Sequence, residues 1–423
     1  MLGRYAVYVV NLLSMMILAR IFTPEIFGTV AAIMVFFVFF QLMAEAGLGP
    51  AIINLQQMDA EDRDGLFGLT IIIGLLLAIL FAALGPLFLM FYQLPRVDEV
   101  VPYIAISLLF FSTCIVPNAL LLREQAFFSI ANGGLLAETL STAATIILAQ
   151  LIDPLHALAA KGAFSAATQF LVIWYFSGKT EIGRPLPGRK FSAIKPLLGF
   201  SSYQHGFNFI NYFSRNLDNI LVGKYMGASA LGVYDKAYQL MRYPLLLLTF
   251  AMTPAIQPVL RKYAGDYHKV EEIHQDFTFK LSLLGVIAGF LVYILADLMV
   301  SILLGSNWSE VIPIIKILAI SIPVQVVLST SGSFYQAMNK ADLLFHCGIF
   351  SSIVVTISVL IGIFLKNIEI LCWGLVAAFH LSFVQAYYYM YKKVFFSQVR
   401  RFFIRMLPMF SYAFAMVAWS INY

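Results

Sequence analysis

The chain has 423 residues, 61% of them hydrophobic and 12% charged, with a net charge of +5 and a mean hydropathy of +0.86. Soluble domains carry about a quarter charged residues, so this composition excludes a soluble protein and specifies an integral membrane protein. Apolar runs of about 18–25 residues recur from end to end, each long enough to cross a hydrocarbon core of about 30 Å as a helix; a membrane barrel would alternate polar and apolar residues instead.

In chain order the predicted spans are residues 5–22, 26–46, 67–92, 101–122, 127–151 and 155–177. The second half gives 196–222, 229–258, 277–304, 309–336, 342–365 and 368–391, with a partial thirteenth from 406 onward. The first span does not read as a cleaved signal peptide, because no small-residue cleavage site follows it and Arg20 leads into another apolar segment. The expected organisation is an N-terminal six-helix lobe (1–177), an inter-lobe linker (178–195) rich in turn formers and bases, a C-terminal six-helix lobe (196–391), and a basic loop with an additional helix (392–423).

The two halves echo each other at a fixed offset of 204 residues. Arg20 and Gly28 align with Lys224 and Gly232, Tyr8 with Tyr212, Asp62 with Asp266, and Pro50-Ala51-Ile52 with Pro254-Ala255-Ile256. Several matches at one offset indicate two copies of one unit, a recognised signature of transporters. Six helices separate the copies, so both enter the membrane from the same side and the repeat is parallel. Lys and Arg crowd the N-terminus and the even-numbered connections, whereas the odd ones hold Arg20, Arg96, Lys224 and Lys366 alone. That bias puts the N-terminus and the 178–195 linker in the cytoplasm, and makes the net charge a topology signal that need not mean nucleic acid.

No predicted loop exceeds about 20 residues, which leaves no room for a soluble catalytic or nucleotide-binding domain of 50 residues or more. Walker, nucleophile-elbow and H-E-x-x-H motifs are absent, so neither ATP-driven nor hydrolytic chemistry is supported and no cofactor is expected. Cys114, Cys347 and Cys372 lack paired metal or redox spacing and read as small buried hydrophobes. His268 and His274, beside Glu271, Glu272 and Asp276, read as solvated charge in a cytoplasmic loop and not as a metal site.

Ionisable residues inside a span are costly, so each is a functional candidate unless it snorkels to an edge. Lys280, Asp235 and Lys236 sit near span ends and are expected to snorkel. In the seventh span Asn208, Asn211, Tyr212, Arg215 and Asn219 recur at helical spacing as one polar stripe, with Asp218 placed to pair with Arg215. Tyr238 and Arg242 follow on the eighth, and Lys161 and Lys316 add two further cations. This cation excess favours an anionic cargo such as a phosphate or pyrophosphate, which the planar fork of arginine matches well. The competing structural account makes Arg215 with Asp218, and Glu138 with Lys161, buried pairs that set helix register. Glu138 and Asp218 are also the candidates for coupling to an ion. Pro117, Pro244, Pro254 and Pro323 fall inside spans and are expected to bend them.

The segments Ile17–Gly28 and Ala46–Ile53, with Ser214–Lys224, Leu231–Tyr234 and Ala237–Met241, resemble those of the polysaccharide transporter (Wzx-like) family in the multidrug, oligosaccharidyl-lipid and polysaccharide (MOP) flippase superfamily. The resemblance covers nearly the whole chain. It implies an all-α polytopic membrane protein of MATE-like fold, with two parallel six-helix lobes around a central cavity. The implied function is a bacterial inner-membrane flippase that moves an undecaprenyl-pyrophosphate-linked oligosaccharide across the bilayer by alternating access, beside a polysaccharide polymerase and assembly machinery. Arg215 and Arg242 would then grip the headgroup with support from Lys161 and Lys316, and Tyr212 and Tyr238 would stack on sugars. Family members usually begin with a longer cytoplasmic segment and often reach fourteen helices, so clipped ends or a misassigned start codon are expected here. A MATE-type drug or ion antiporter would share the fold, and a membrane polymerase or glycosyltransferase would need a long external loop that the chain lacks.

Overall fold

A chain in hydrocarbon has no water for its peptide groups, so each apolar run must satisfy its backbone internally and becomes a helix. The computed structural model describes residues 2–45, 47–55, 58–190, 195–249, 256, 259–260, 262–263 and 265–422, and at 2–4, 54, 195–211, 213–215 and 421–422 the backbone alone. The described residues contain no strand. Eight helices among them are long and apolar enough to cross a membrane, ten if each sharply bent pair is one crossing. The sequence reading expected twelve and a partial thirteenth, the last of which is the bent pair Val399–Arg405 and Leu407–Ser420. The difference lies at the first helix, whose apolar part is Tyr5–Ile21, and in Lys195–Thr249, where the two expected spans meet at a kink at Gly227 and carry the polar stripe.

The chain divides into two compact units, Met1–Gly232 with Leu303–Asn307, and Val233–Ile302 with Trp308–Tyr423. The first contains α1 (Leu2–Ile21), α2 (Pro24–Glu45), α3 (Leu48–Asn54), α4 (Ala60–Ala83), α5 (Gly85–Tyr92), α6 (Val97–Arg123), α7 (Phe127–Leu151), α8 (Pro154–Ser177) and the first part of α9 (Lys195–Thr249). Helix α6 is its centre and packs against α2, α3, α4 and α8, while α7 joins α1 to α8. Leu66, Phe67, Val116, Ala119 and Leu120 close the α4–α6 seam with Ala44 and Ile52. The third span breaks at Leu84, between α4 and α5.

Glycine sets the closest approaches in this unit. A Cβ on Gly28 would overlap the Ala228 carbonyl, and one on Gly232 would overlap the Pro24 carbonyl. Pro24 and Ala228 are themselves repeat-equivalent, so the two glycines that carry the echo meet in a reciprocal contact, backbone on backbone. Helix α9 turns at Gly227, whose φ of 91° and ψ of 175° belong to a region that glycine alone adopts readily. The linker lies on α4 in the same manner: Cβ atoms on Gly65 and Gly68 would overlap the Lys190 and Gly188 carbonyls. Buried Arg63 bonds the Ile182 carbonyl and Asp64 (2.7 Å), and Asp64 in turn accepts from the Leu186 N–H (2.8 Å).

The second unit holds the end of α9 with α10 (Tyr267–Ile294), α11 (Ala296–Leu303), α12 (Val311–Ala319), α13 (Ile322–Ala337), α14 (Ala341–Phe364), α15 (Ile368–Tyr389), α16 (Val399–Arg405) and α17 (Leu407–Asn422). Helix α15 continues as a π-helical turn over Met390–Val394. Helices α12 and α13 meet at 59°, with Pro323 in the first turn of α13, where its missing N–H costs no helix bond. Pro117 and Pro244 remain inside helices, and Pro254 lies outside the described residues.

Glycines set close approaches here too, since a Cβ on Gly362 would overlap Leu371 and one on Gly285 the Pro323 Cα, but the interior around α10 is filled by large rings. His274 is fully buried, its Nδ1 hydrogen-bonded to the Tyr391 hydroxyl at 2.8 Å, with the rings of Phe334, Tyr387, Phe395 and Phe402 around it. The solvated-loop reading of His274 is therefore wrong. The cause is legible afterwards: Val270, His274, Thr278, Leu281 and Gly285 form one buried helical face.

Candidate functional site

Four cations were expected to serve an anionic cargo, and the structure separates them by what they touch. Lys161 on α8 meets Glu138 on α7 at 2.8 Å, both largely buried, so the two expected partners do pair. Lys316, in the last turn of α12, meets Asp297, in the first turn of α11, at 2.6 Å. Each sits where the helix dipole favours its charge. Arg242 is exposed on α9 and joins no ion pair among the described residues. The side chains of Arg215, Asn208 and Asn211 lie outside the described residues. The expected excess of positive charge thus narrows, because two of the four cations are matched by carboxylates.

The rest of the polar stripe is tied to nearby backbone. The Tyr212 hydroxyl donates to the Val35 carbonyl on α2, and its ring lies 6.4 Å from that of Phe39. Asn216 donates to the Tyr212 carbonyl (2.8 Å), and buried Asp218 accepts from the Asn219 N–H (2.8 Å). Ser14, the repeat partner of Asp218, is also buried and shares a 2.6 Å hydrogen bond with Thr142. In the second unit Tyr238 packs its ring 5.4 Å from Tyr234. Lys236, expected to snorkel, is instead buried against Asp235 (3.0 Å) and Gln239 (3.1 Å). At the corner residues of the echo, Arg20 donates to the Met16 carbonyl (3.1 Å), and the Lys224 ammonium lies 4.0 Å from the Phe91 ring centre.

Sequence reasoning missed the Lys316–Asp297 pair, because its members lie on two different short helices with no spacing to connect them. It also missed the Arg63–Asp64 clasp, although the run Asp62-Arg63-Asp64-Gly65 with Gly68 one turn later was a visible signal. Among the described residues no cluster of three or more His, Cys, Asp or Glu is placed to hold a metal ion.

The family model described as "Polysaccharide biosynthesis protein" matches residues 17–313. The chain belongs to this family. It is a multi-pass membrane protein of that family. It is 24% identical over 309 residues to the teichuronic acid biosynthesis protein TuaB of Bacillus subtilis (strain 168), covering 73% of this chain and 64% of TuaB, so it spans less than two thirds of that relative. With the lipopolysaccharide biosynthesis protein WzxC of Escherichia coli (strain K12) it shares 22% identity over 410 residues, 95% of this chain and 81% of WzxC. With the succinoglycan biosynthesis transport protein ExoT of Rhizobium meliloti (strain 1021) it shares 24%, over 85% of this chain and 72% of ExoT. Among solved structures, the lipid II flippase MurJ in an inward closed conformation aligns with a TM-score of 0.72 at 12% identity, covering 100% of this chain and 99% of MurJ. An inward-facing MATE multidrug transporter of the MOP superfamily aligns at 0.69 and 14%, covering 96% of each chain. These likenesses establish the MOP fold for the family member described here.

Proposed function

We propose that this chain is a flippase for a lipid-linked oligosaccharide, carrying an undecaprenyl-pyrophosphate-linked repeat unit of a surface polysaccharide across a bacterial inner membrane by alternating access. The observation that carries the proposal is the likeness to WzxC over 95% of the chain, in a fold shared with MurJ. Arg242 supports an anionic headgroup, since it is exposed and matched by no carboxylate among the described residues. Lys161 keeps two ammonium protons beyond its bond to Glu138, so it can assist, though with its charge already balanced. Tyr212 and Tyr238 serve as stacking surfaces in this reading, with Asn208, Asn211, Asn219 and Arg215 on the same stripe. The two lobes, 1–177 and 196–391, would rock about the cavity, with the 178–195 linker and the N-terminus in the cytoplasm. A polysaccharide polymerase and its assembly machinery are the expected partners.

A drug or ion antiporter needs an available carboxylate inside the bilayer, and Glu138 is held by Lys161. Transporter and flippase names among the relatives support a role without catalysis. The test is deletion of the gene followed by analysis of lipid-linked repeat units. Accumulation of complete units on the cytoplasmic leaflet is the expected result. Unchanged surface polysaccharide and no trapped unit would refute the proposal.

A further inference from the structure

After Glu369 the sequence contains no acid, yet Lys392, Lys393, Arg400, Arg401 and Arg405 fall within one short stretch. A basic loop alone is an ordinary topology signal, so what matters is how its charges are matched. At the start of α4, Lys190 is surrounded by Asp59, Glu61 and Asp62 at 3.2–3.3 Å. At the start of α10, Lys269 meets Glu272 (2.7 Å) and Lys280 meets Asp276 (2.7 Å). The α15–α16 corner is different: Arg405 reaches Asp276 at 3.5 Å, while Lys392, Lys393, Arg400 and Arg401 are exposed and join no ion pair among the described residues.

The corner is also a rigid support. Fully buried Phe402 stacks on Tyr391 at 4.4 Å and on Tyr387 at 5.0 Å, pinning α16 to the end of α15. The π-helical turn leaves Lys392 bonded to the Tyr388 hydroxyl (2.8 Å) and Lys393 over the Tyr389 ring (4.4 Å). Phe396 and Ile404 point outward, 76% and 53% exposed, and α16 bends by 54° into α17. Exposed apolar tips beside unmatched cations, at the end of a membrane span, are the pattern of an interfacial anchor on an anionic lipid surface.

We propose that this corner is a binding seat for the phosphate headgroups of anionic phospholipids in the adjacent leaflet. Arg400 and Arg401 offer forked donors to phosphate, Lys392 and Lys393 add ring-braced point charges, and Phe396 with Ile404 enter the acyl boundary. The seat is independent of the cargo assigned above.

The test uses the full chain in nanodiscs of equimolar phosphatidylglycerol and phosphatidylcholine, with retained lipid counted by native mass spectrometry. Wild type should retain phosphatidylglycerol over phosphatidylcholine by at least roughly fivefold, the worth of one basic residue near an anionic surface, and high salt should erase the preference. The quadruple variant Lys392→Gln, Lys393→Gln, Arg400→Gln, Arg401→Gln should fall to near parity at an unchanged melting temperature. If it does not fold, the exposed pair Arg400→Gln, Arg401→Gln should lose part of the preference and Arg400→Lys, Arg401→Lys should keep it. No preference in wild type, or a preference intact in the folded variants, would overturn the proposal. So would displacement of the retained lipid by inorganic pyrophosphate at low concentration, which would assign the corner to a diphosphate cargo instead.

Discussion

Two regions of the molecule close by opposite means, the Gly28–Gly232 crossing and the His274 node. In the first, Gly28 and Gly232 lie against backbone carbonyls, as do Gly65 and Gly68 under the linker. In the second, the His274 node is filled by large rings, with Phe334, Tyr387, Tyr391 and Phe402 all buried to 2% exposure or less. A contact between backbones has no side chain that can retreat, whereas a close-packed aromatic node adjusts to small changes of shape but is left with a cavity when a ring is removed. The first region should therefore be intolerant of added atoms and the second sensitive to removed ones.

The largest effect should come from Gly28→Ala or Gly232→Ala. Each methyl must displace a carbonyl, at a cost of roughly 3 kcal/mol or more, seen as lost folded yield or a lowered melting temperature. Gly348→Ala is the control, because nothing lies within 4 Å of its added Cβ; it should be neutral or stabilising by up to about 1 kcal/mol. Equal effects at Gly28 and Gly348 would break the comparison. Next, Phe402→Ala should cost about 3–5 kcal/mol in thermal or denaturant unfolding, and Phe402→Leu much less, as repacking allows.

A smaller effect separates structure from cargo binding at Lys161. Lys161→Met should destabilise by roughly 3 kcal/mol by stranding Glu138, and the double variant Lys161→Met, Glu138→Leu should recover most of that loss. Failure of the double variant to recover would mean that Lys161 does more than set register. The smallest effect concerns the linker. The Asp59 carboxyl is held below its ordinary value of 3.8 by the Asp62 N–H and then by Lys190. A lowered folded-state value stabilises above the unfolded value, and the contribution fades as pH falls below 3.8. Amide exchange at Leu186 and Gly188 should quicken slightly in that acid range, and Asp59→Asn should remove this pH dependence.

Much of the fold was legible in the sequence because apolar runs have nowhere to go but helix. The kink at Gly227 falls in the gap expected between the seventh and eighth spans, whereas the break at Leu84 was not legible, since it depends on local backbone geometry and not on composition. The echo was visible as a repeat, but that its two glycines meet each other follows only from packing. A structural offset also appears at the helix starts: Asp59 caps α4 and Asp266 caps α10, so Asp62 is not the structural partner of Asp266. Candidate charges were legible as residues and illegible as partners. Glu138 with Lys161 was foreseeable from adjacent helices, whereas Asp297 with Lys316 depends on two short helices meeting end to side chain. His274 was misread because its polar neighbours in sequence concealed the buried face that it shares with Val270, Thr278 and Leu281.

In the proposed function the headgroup contact falls on Arg242, which is exposed and joins no ion pair among the described residues. The most direct measurement is transfer of a fluorescent polyprenyl-pyrophosphate oligosaccharide between leaflets of vesicles containing the purified chain. Wild type should transfer it, Arg242→Ala should fall by about two orders of magnitude, the loss of a charge-assisted headgroup contact, and Arg242→Lys should lie between them at equal folded content. Transfer by Arg242→Ala at the wild-type rate would contradict the account.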